Sequence, residues 1–124
     1  MKNNIPKMFR FGNIANAIYL AVGALLFVLG LILGIVGVAS ENAPLASAGW
    51  DIFGWGFYLA LGAIVSFIVV VGNMEKRALK EDNNSLAPFI VSGVFGLVFS
   101  NPFYVIAGIF GVIVTSRENN AKAE

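Results

Sequence analysis

Few side chains in this sequence could carry out chemistry, and their types exclude most kinds of site. The chain contains no His and no Cys, so the commonest general base, the thiol nucleophile and the preferred ligands of zinc and haem are missing. Its seven carboxylates include Glu41, Asp51, Glu75, Glu81 and Asp82. Their spacing gives no recognisable pair of acid and base, so we expect no enzyme activity, no metal site and no cofactor.

Uncharged polar side chains within the apolar segments are the other candidates. A channel or small transporter would need polar groups along its pore, and the sequence offers Asn16, Ser66, Ser92, Ser100 and Asn101. Ion transport usually keeps an ionisable residue inside a span, because its cost there is tolerated only for function. No apolar segment has one. An oligomeric channel or small transporter is therefore the alternative hypothesis rather than the first.

Composition and charge distribution predict a membrane protein. Hydrophobic residues make up 58% of the 124 and charged residues 12%, whereas soluble domains carry about 25% charged residues. All eight Lys and Arg fall within residues 1–10, 73–85 and 117–124. These short basic patches are typical of topology signals beside a membrane. They form no concentrated basic face, so we expect no nucleic-acid partner.

The apolar segments predict an all-α fold, a polytopic transmembrane helix bundle within one membrane domain, residues 1–124. Two segments, 14–39 and 52–72, are long enough to span a bilayer. The first is too long for the apolar core of a signal peptide. Around them we expect a basic N-terminal flank over residues 1–13, where Pro6 leaves little room for a helix, a polar loop over residues 40–51 and a polar C-terminal tail over residues 117–124.

The remaining apolar segment, residues 86–115, carries no charge and is interrupted by Ser100, Asn101 and Pro102. As one helix it would be about 45 Å long, against a hydrocarbon core of about 30 Å. Pro102 lacks a backbone donor and disfavours helical geometry at Asn101. We therefore predict a short or re-entrant helical hairpin, with helices 86–100 and 102–116 and its turn near the outer surface. A single long helix kinked at Pro102 is the alternative.

Every apolar segment presents a face of small residues, which lets helix backbones approach closely in a membrane. Gly30 and Gly34 form a GxxxG pair, and packing within the chain is favoured over packing with a second copy. The predicted packing residues are Gly23, Gly30, Gly34, Gly37, Gly62, Ser66, Ser92, Gly96, Ala107 and Gly111.

Basic residues alternate along the chain, and this alternation predicts the topology. Lys and Arg are present before the first span, absent from residues 40–51 and present again in residues 73–85 and 117–124. Positive residues prefer the cytoplasmic side, so both termini are expected there. Trp50, Trp55, Lys7 and Arg10 are the predicted interfacial anchors, and the lipid bilayer is the predicted partner.

The segments from Ser92 to Gly96, Ser100 to Tyr104 and Ala107 to Gly111 form two glycine-rich halves around a polar and aromatic break. In this pattern, and in the charged loop and glycine-rich span before it, the chain resembles a family of small four-helix membrane proteins common in Gram-positive bacteria. The resemblance covers about the last two-thirds of the chain. It implies a bacterial plasma-membrane location and four membrane passes, and it carries no activity across.

Our leading functional hypothesis is a non-enzymatic membrane protein that acts through helix–helix association. The number of small-residue faces in so short a chain indicates contacts beyond its own helices. It would serve as an accessory or structural subunit of a membrane complex, or it would form a homo-oligomer.

Overall fold

The computed structural model describes residues 2–80 and 83–123, and it forms four helices with no strand in that part of the chain. Two of these helices are long and apolar enough to cross a membrane. The predicted all-α fold with four helices is therefore confirmed. Glu81, Asp82 and Glu124 lie outside the described residues.

The first long helix starts earlier than the sequence suggested. A 3₁₀ turn, Lys2–Asn4, leads directly into α1, Ile5–Ala39, and the 38 residues together extend about 57 Å. The expected irregular flank is therefore helical. Pro6 is accommodated because it lies in the first turn, where its missing N–H would have no partner within the helix.

A tight turn joins the first long helix to the second. Glu41 adopts a left-handed conformation with φ of 54°, and the Asn42 N–H donates to the Gly37 carbonyl at 2.9 Å. This is the hydrogen bond of a Schellman motif, which ends a helix and satisfies its last carbonyls. The Asn42 side-chain oxygen then accepts from the Leu45 N–H at 3.2 Å and caps the next helix. Most of the polar loop expected over residues 40–51 is consequently helical.

The second long helix consists of three successive segments with two kinds of helical turn. It begins as α2, Ala43–Ser66, continues as a π-helix, Phe67–Met74, and ends as α3, Glu75–Ala78. The Asn73 side chain donates to the Ile68 carbonyl at 3.0 Å within the π-helical part. Segments of π-helix are rare and usually occur as single turns, so eight residues are an unusual run.

The last two helices form a short hairpin. Helix α4 covers Ala87–Val98 and α5 covers Pro102–Ala123. Ser100 is left-handed with φ of 56°, and the Asn101 N–H donates to the Gly96 carbonyl at 2.7 Å. Pro102 is the first residue of α5, where its fixed φ is favourable. The alternative of one kinked helix over residues 86–115 is wrong, and α5 extends into the expected polar tail.

The chain divides into two compact units. Met1–Asn16 and Val65–Glu124 form one of them, here called the bundle unit, and Ala17–Ile64 forms the other, here called the hairpin unit. The core of the bundle unit is a cluster of buried side chains: Ile5, Phe9, Val70, Ala78, Phe89, Tyr104 and Ala107.

In the hairpin unit the backbones of α1 and α2 touch. A Cβ atom added at Gly30 would overlap the backbone nitrogen of Phe53, and one added at Gly56 would overlap that of Phe27. Because the obstructing atoms belong to the backbone, no side-chain rotation can make room. Gly54, also on α2, has nothing within 4 Å of such a Cβ.

These contacts predict opposite effects for two similar substitutions. Gly30→Ala should destabilise the hairpin unit by about 1–3 kcal/mol, the usual cost of overpacking a tight contact. Gly54→Ala should be neutral or stabilising by up to about 1 kcal/mol, since alanine favours the helix over glycine. Thermal unfolding of both variants in the same detergent measures the difference. Equal melting temperatures for the two would contradict the close approach at Gly30.

Candidate functional site

The bundle unit contains a row of polar side chains that links three helices. Tyr104 of α5 is fully buried, and its hydroxyl donates to the Asn13 side-chain oxygen at 2.6 Å. The Asn13 amide in turn donates to a carboxylate oxygen of Glu75 at 3.0 Å. Hydrogen bonds in a poorly solvated place are strong and costly to lose. The row therefore fixes α5, α1 and α3 in one register.

Asn101, in the turn of the short hairpin, is 2% exposed. Its amide nitrogen donates to the carbonyl of Gly12 at 2.9 Å. Its side-chain oxygen is buried and has no hydrogen-bond partner among the described residues. The Tyr104 ring lies directly over Gly12, where a Cβ atom would overlap it. Together these contacts hold the turn between α4 and α5 against the N-terminal part of α1.

The turn was expected near the outer surface, and its side of a membrane stays a prediction; the structure shows that it lies against Gly12 of the N-terminal flank. Gly12 belongs to the basic N-terminal flank, which the charge pattern assigns to the cytoplasmic side. The sequence identified the turn from Pro102 and its neighbours, but it could not identify the acceptor of the Asn101 amide. That acceptor lies 89 residues away in the chain.

A cavity of about 460 Å³ lies in the same unit. Lys2 and Glu118 form an ion pair of 2.6 Å at its wall. The hydrogen bond from Lys2 and its positive charge lower the pKa of Glu118 below its ordinary value, so this carboxylate is ionised at neutral pH. Lys80 also lines the cavity, and no carboxylate among the described residues pairs with it. The cavity therefore has an excess of positive charge from those residues.

The other walls of the cavity combine the hydroxyl of Thr115 and the amide-bearing Asn83 with apolar surface. Thr115, which is 5% exposed, contributes its side chain from α5. The apolar lining comes from Ile5, Pro6, Ala78, Leu79, Phe89 and Val114. A cavity of this composition can hold a molecule that has both a polar and an apolar part.

All ten packing residues predicted from the sequence are buried. In the hairpin unit, Gly23, Gly30 and Gly37 lie against the backbone of α2 and Gly34 lies against the Trp50 ring. In the bundle unit, Gly96 lies against Val105 and Gly111 lies beneath the Phe89 ring. The remaining buried members are Gly62, Ser66, Ser92 and Ala107. The small-residue faces are thus largely occupied within each unit.

The predicted anchors and pore residues are distributed differently. Trp50, Trp55, Lys7 and Arg10 are exposed, as anchors would require. Of the polar residues considered for a pore, only Ser100 is exposed, whereas Asn16, Ser66, Ser92 and Asn101 are buried. The Ser92 hydroxyl, for example, donates to the Pro88 carbonyl of its own helix at 2.8 Å. The buried side chains of Ser92 and Asn101 thus make contacts within the chain.

The sequence did not identify Asn13, Tyr104 and Glu75 as hydrogen-bond partners of one another. It did not single out Lys80 either. One signal was available. A tyrosine in an otherwise apolar arm needs a hydrogen-bond partner for its hydroxyl, and the asparagines at the start of the first apolar segment could have been considered for that role. Which of them accepts the bond depends on packing between distant parts of the chain.

No protein-family model, no curated protein and no solved structure matches this chain. The resemblance to small four-helix membrane proteins therefore stays a prediction. A function can be inferred only from the geometry of the structure.

The row from Tyr104 to Glu75 predicts a coupled effect on stability. Tyr104→Phe keeps the ring over Gly12 but leaves the Asn13 oxygen without its donor, which should cost about 1–3 kcal/mol of unfolding free energy. In the double variant with Asn13→Ala, the two losses should not add, and a coupling energy of about 0.5–3 kcal/mol is expected. Chemical denaturation of the four proteins of this cycle gives the value. If the two losses of unfolding free energy simply add, the side chains of Tyr104 and Asn13 are not energetically coupled.

Proposed function

We propose that this chain is a non-enzymatic integral protein of a bacterial plasma membrane, with the hairpin unit inserted in the bilayer. The supporting observation is an inverted distribution of side chains: the glycines other than Gly54 lie inside the unit, and large apolar side chains such as Leu25, Val38 and Trp55 lie outside, at 69%, 61% and 66% exposure. Exposed apolar surface of this extent is costly in water and favourable in lipid.

The dimensions of the hairpin unit agree with such an insertion. Residues 17–39 of α1 and 43–64 of α2 are each about 33–35 Å long at the usual helical rise, against about 30 Å for a hydrocarbon core. Neither stretch contains Lys or Arg, and Asp51 is the single acid. Asp51 is the ninth residue of α2, about 12 Å from its start at the usual helical rise, and its side chain is exposed. An acid at this depth is costly in hydrocarbon and is tolerated where it faces a partner or water.

The proposed topology has two crossings, with both termini and the α4–α5 hairpin on the cytoplasmic side. Helix α4 has 12 residues and is about 18 Å long, which is too short to cross. The contact between Asn101 and Gly12 brings the turn to the basic flank, which is the side that the positive-inside rule assigns to the cytoplasm. The four-pass topology would require both arms to reach the opposite side.

Its proposed role is that of an accessory or structural subunit, or of a homo-oligomer, acting through helix–helix association. The small-residue faces are occupied internally, so they no longer argue for this role. The α4–α5 hairpin does, because its outer surface is apolar and forms a shallow groove. Ile90, Val94, Leu97 and Ile109 are each more than half exposed there, with Gly93 and Gly108 between them. On the cytoplasmic side this apolar surface is costly to leave in water, and an apolar helix of another subunit, or of a second copy, would cover it.

The topology can be tested with single cysteines, because the native chain has none. Ser47→Cys, at an exposed position near the start of α2, should react with an impermeant maleimide in intact bacterial spheroplasts. Pro102→Cys and Asn120→Cys, also at exposed positions, should react only after permeabilisation. Labelling of Pro102→Cys in intact spheroplasts would support four crossings instead. Recovery of the protein in the soluble fraction would overturn membrane insertion itself.

The association can be tested with two matched positions. Leu97 on α4 is 71% exposed and Leu25 on α1 is 69% exposed, so the chain itself shields neither position, and a membrane-permeant oxidant such as iodine reaches cysteines at both. We expect Leu97→Cys to form a disulfide-linked dimer in membranes, or a bifunctional-reagent adduct with a co-purifying subunit, while Leu25→Cys stays monomeric. A protein that is monomeric in gentle detergent, co-purifies with nothing and cross-links at neither position would defeat the proposed role.

A further inference from the structure

The cavity in the bundle unit is not used by the proposed association through the α4–α5 surface. Within residues 2–80 and 83–123, its charged groups are two lysines and one glutamate, Lys2, Lys80 and Glu118. One ammonium group is compensated by the Lys2–Glu118 ion pair of 2.6 Å. The other, on Lys80, has no carboxylate partner among the described residues. A ligand with a negative charge would balance it.

The uncharged walls limit what that ligand can be. Ile5, Phe89 and Val114 present apolar surface beside the ammonium groups, and Thr115 presents a hydroxyl-bearing side chain that is 95% shielded from solvent. A fully hydrated small anion would leave the apolar walls unused. An anion that continues into a hydrocarbon chain would satisfy both parts of the cavity.

We propose that this cavity binds the phosphate group of an anionic glycerophospholipid, with Lys80 as its principal cationic contact. Lys2 is a second cation, available when the phosphate displaces Glu118, and the first methylenes of the lipid lie on Ile5, Phe89 and Val114. The volume of about 460 Å³ lies within the range of about 300–1,000 Å³ that is usual for ligand pockets. Basic pockets between helices on the cytoplasmic side of membrane proteins recognise such head groups.

This assignment rests on the proposed membrane location, and it adds a ligand to it. Lys2 and Lys80 belong to the flanks that the charge distribution assigns to the cytoplasmic leaflet. Anionic lipids are concentrated in that leaflet, and each basic side chain near its surface contributes about 1 kcal/mol of attraction. Attraction of this kind is diffuse, so the site must be distinguished from a general preference for negative membranes.

Native mass spectrometry of the full-length protein in detergent provides that distinction. The protein is incubated with dioleoyl phosphatidylglycerol, with dioleoyl phosphatidylcholine or with glycerol phosphate, and the bound fraction is measured. We expect one molecule of phosphatidylglycerol to be retained, at least fivefold more than phosphatidylcholine. Lys80→Gln should reduce this retention three- to tenfold. Lys76→Gln, which removes the same charge from an exposed position outside the cavity, should leave it unchanged.

A gain of binding supplies a second criterion. Glu118→Gln removes the carboxylate that competes with the phosphate for Lys2, so phosphatidylglycerol retention should rise about two- to fivefold, while the melting temperature verifies that the variant is folded. Equal losses in Lys80→Gln and Lys76→Gln, or equal retention of the two lipids, would overturn the site. Retention of glycerol phosphate with the same dependence on Lys80 would assign the cavity to a soluble phosphate compound and overturn the lipid assignment. If the protein is membrane-bound but shows no lipid preference, only the lipid site is refuted. If the protein is soluble, the proposed function is refuted.

Discussion

The hairpin unit depends on direct contact between two helix backbones. In water, apolar side chains drive helices together, but within lipid this driving force is absent and close packing must replace it. Gly30 and Gly56 allow that packing because neither has a Cβ, and each lies against backbone atoms of the opposite helix. With small residues turned inward, the large apolar side chains occupy the outside. The surface that suits a bilayer is therefore a direct result of how the two helices touch.

The bundle unit is held by a different kind of interaction. Its helices are joined by hydrogen bonds from a few polar side chains, above all the buried Tyr104 and Asn101 and the half-buried Asn13. Such bonds are directional, so they fix the register of the short hairpin more strictly than apolar packing could. They also leave the outer face of α4 and α5 exposed. This arrangement produces both the surface proposed for association and the cavity proposed for lipid.

Local patterns in the sequence predicted much of the fold and little of the candidate site. The four helices and the turn at Ser100 follow from apolar periodicity, proline chemistry and small-residue spacing, all of which act over a few residues. The start of α1 was missed because Pro6 and the basic residues suggested a flank, whereas burial of Ile5 and Phe9 in the core extends the helix. The acceptor of the Asn101 amide and the cavity around Lys80 depend on packing between distant parts of the chain. No local pattern encodes such contacts.

The bundle unit is discontinuous in the chain, and this has a consequence for biosynthesis. Its first part, Met1–Asn16, leaves the ribosome early, yet the ion-pair partner of Lys2 is Glu118, separated from it by 116 positions. The hairpin unit ends at Ile64 and can assemble while translation continues, since domains generally form as they emerge. The N-terminal turns of α1 cannot complete their packing until α5 has been synthesised, so Phe9 is exposed until then. During that interval the nascent chain has a hydrophobic N-terminal segment that a chaperone or the membrane surface must shield.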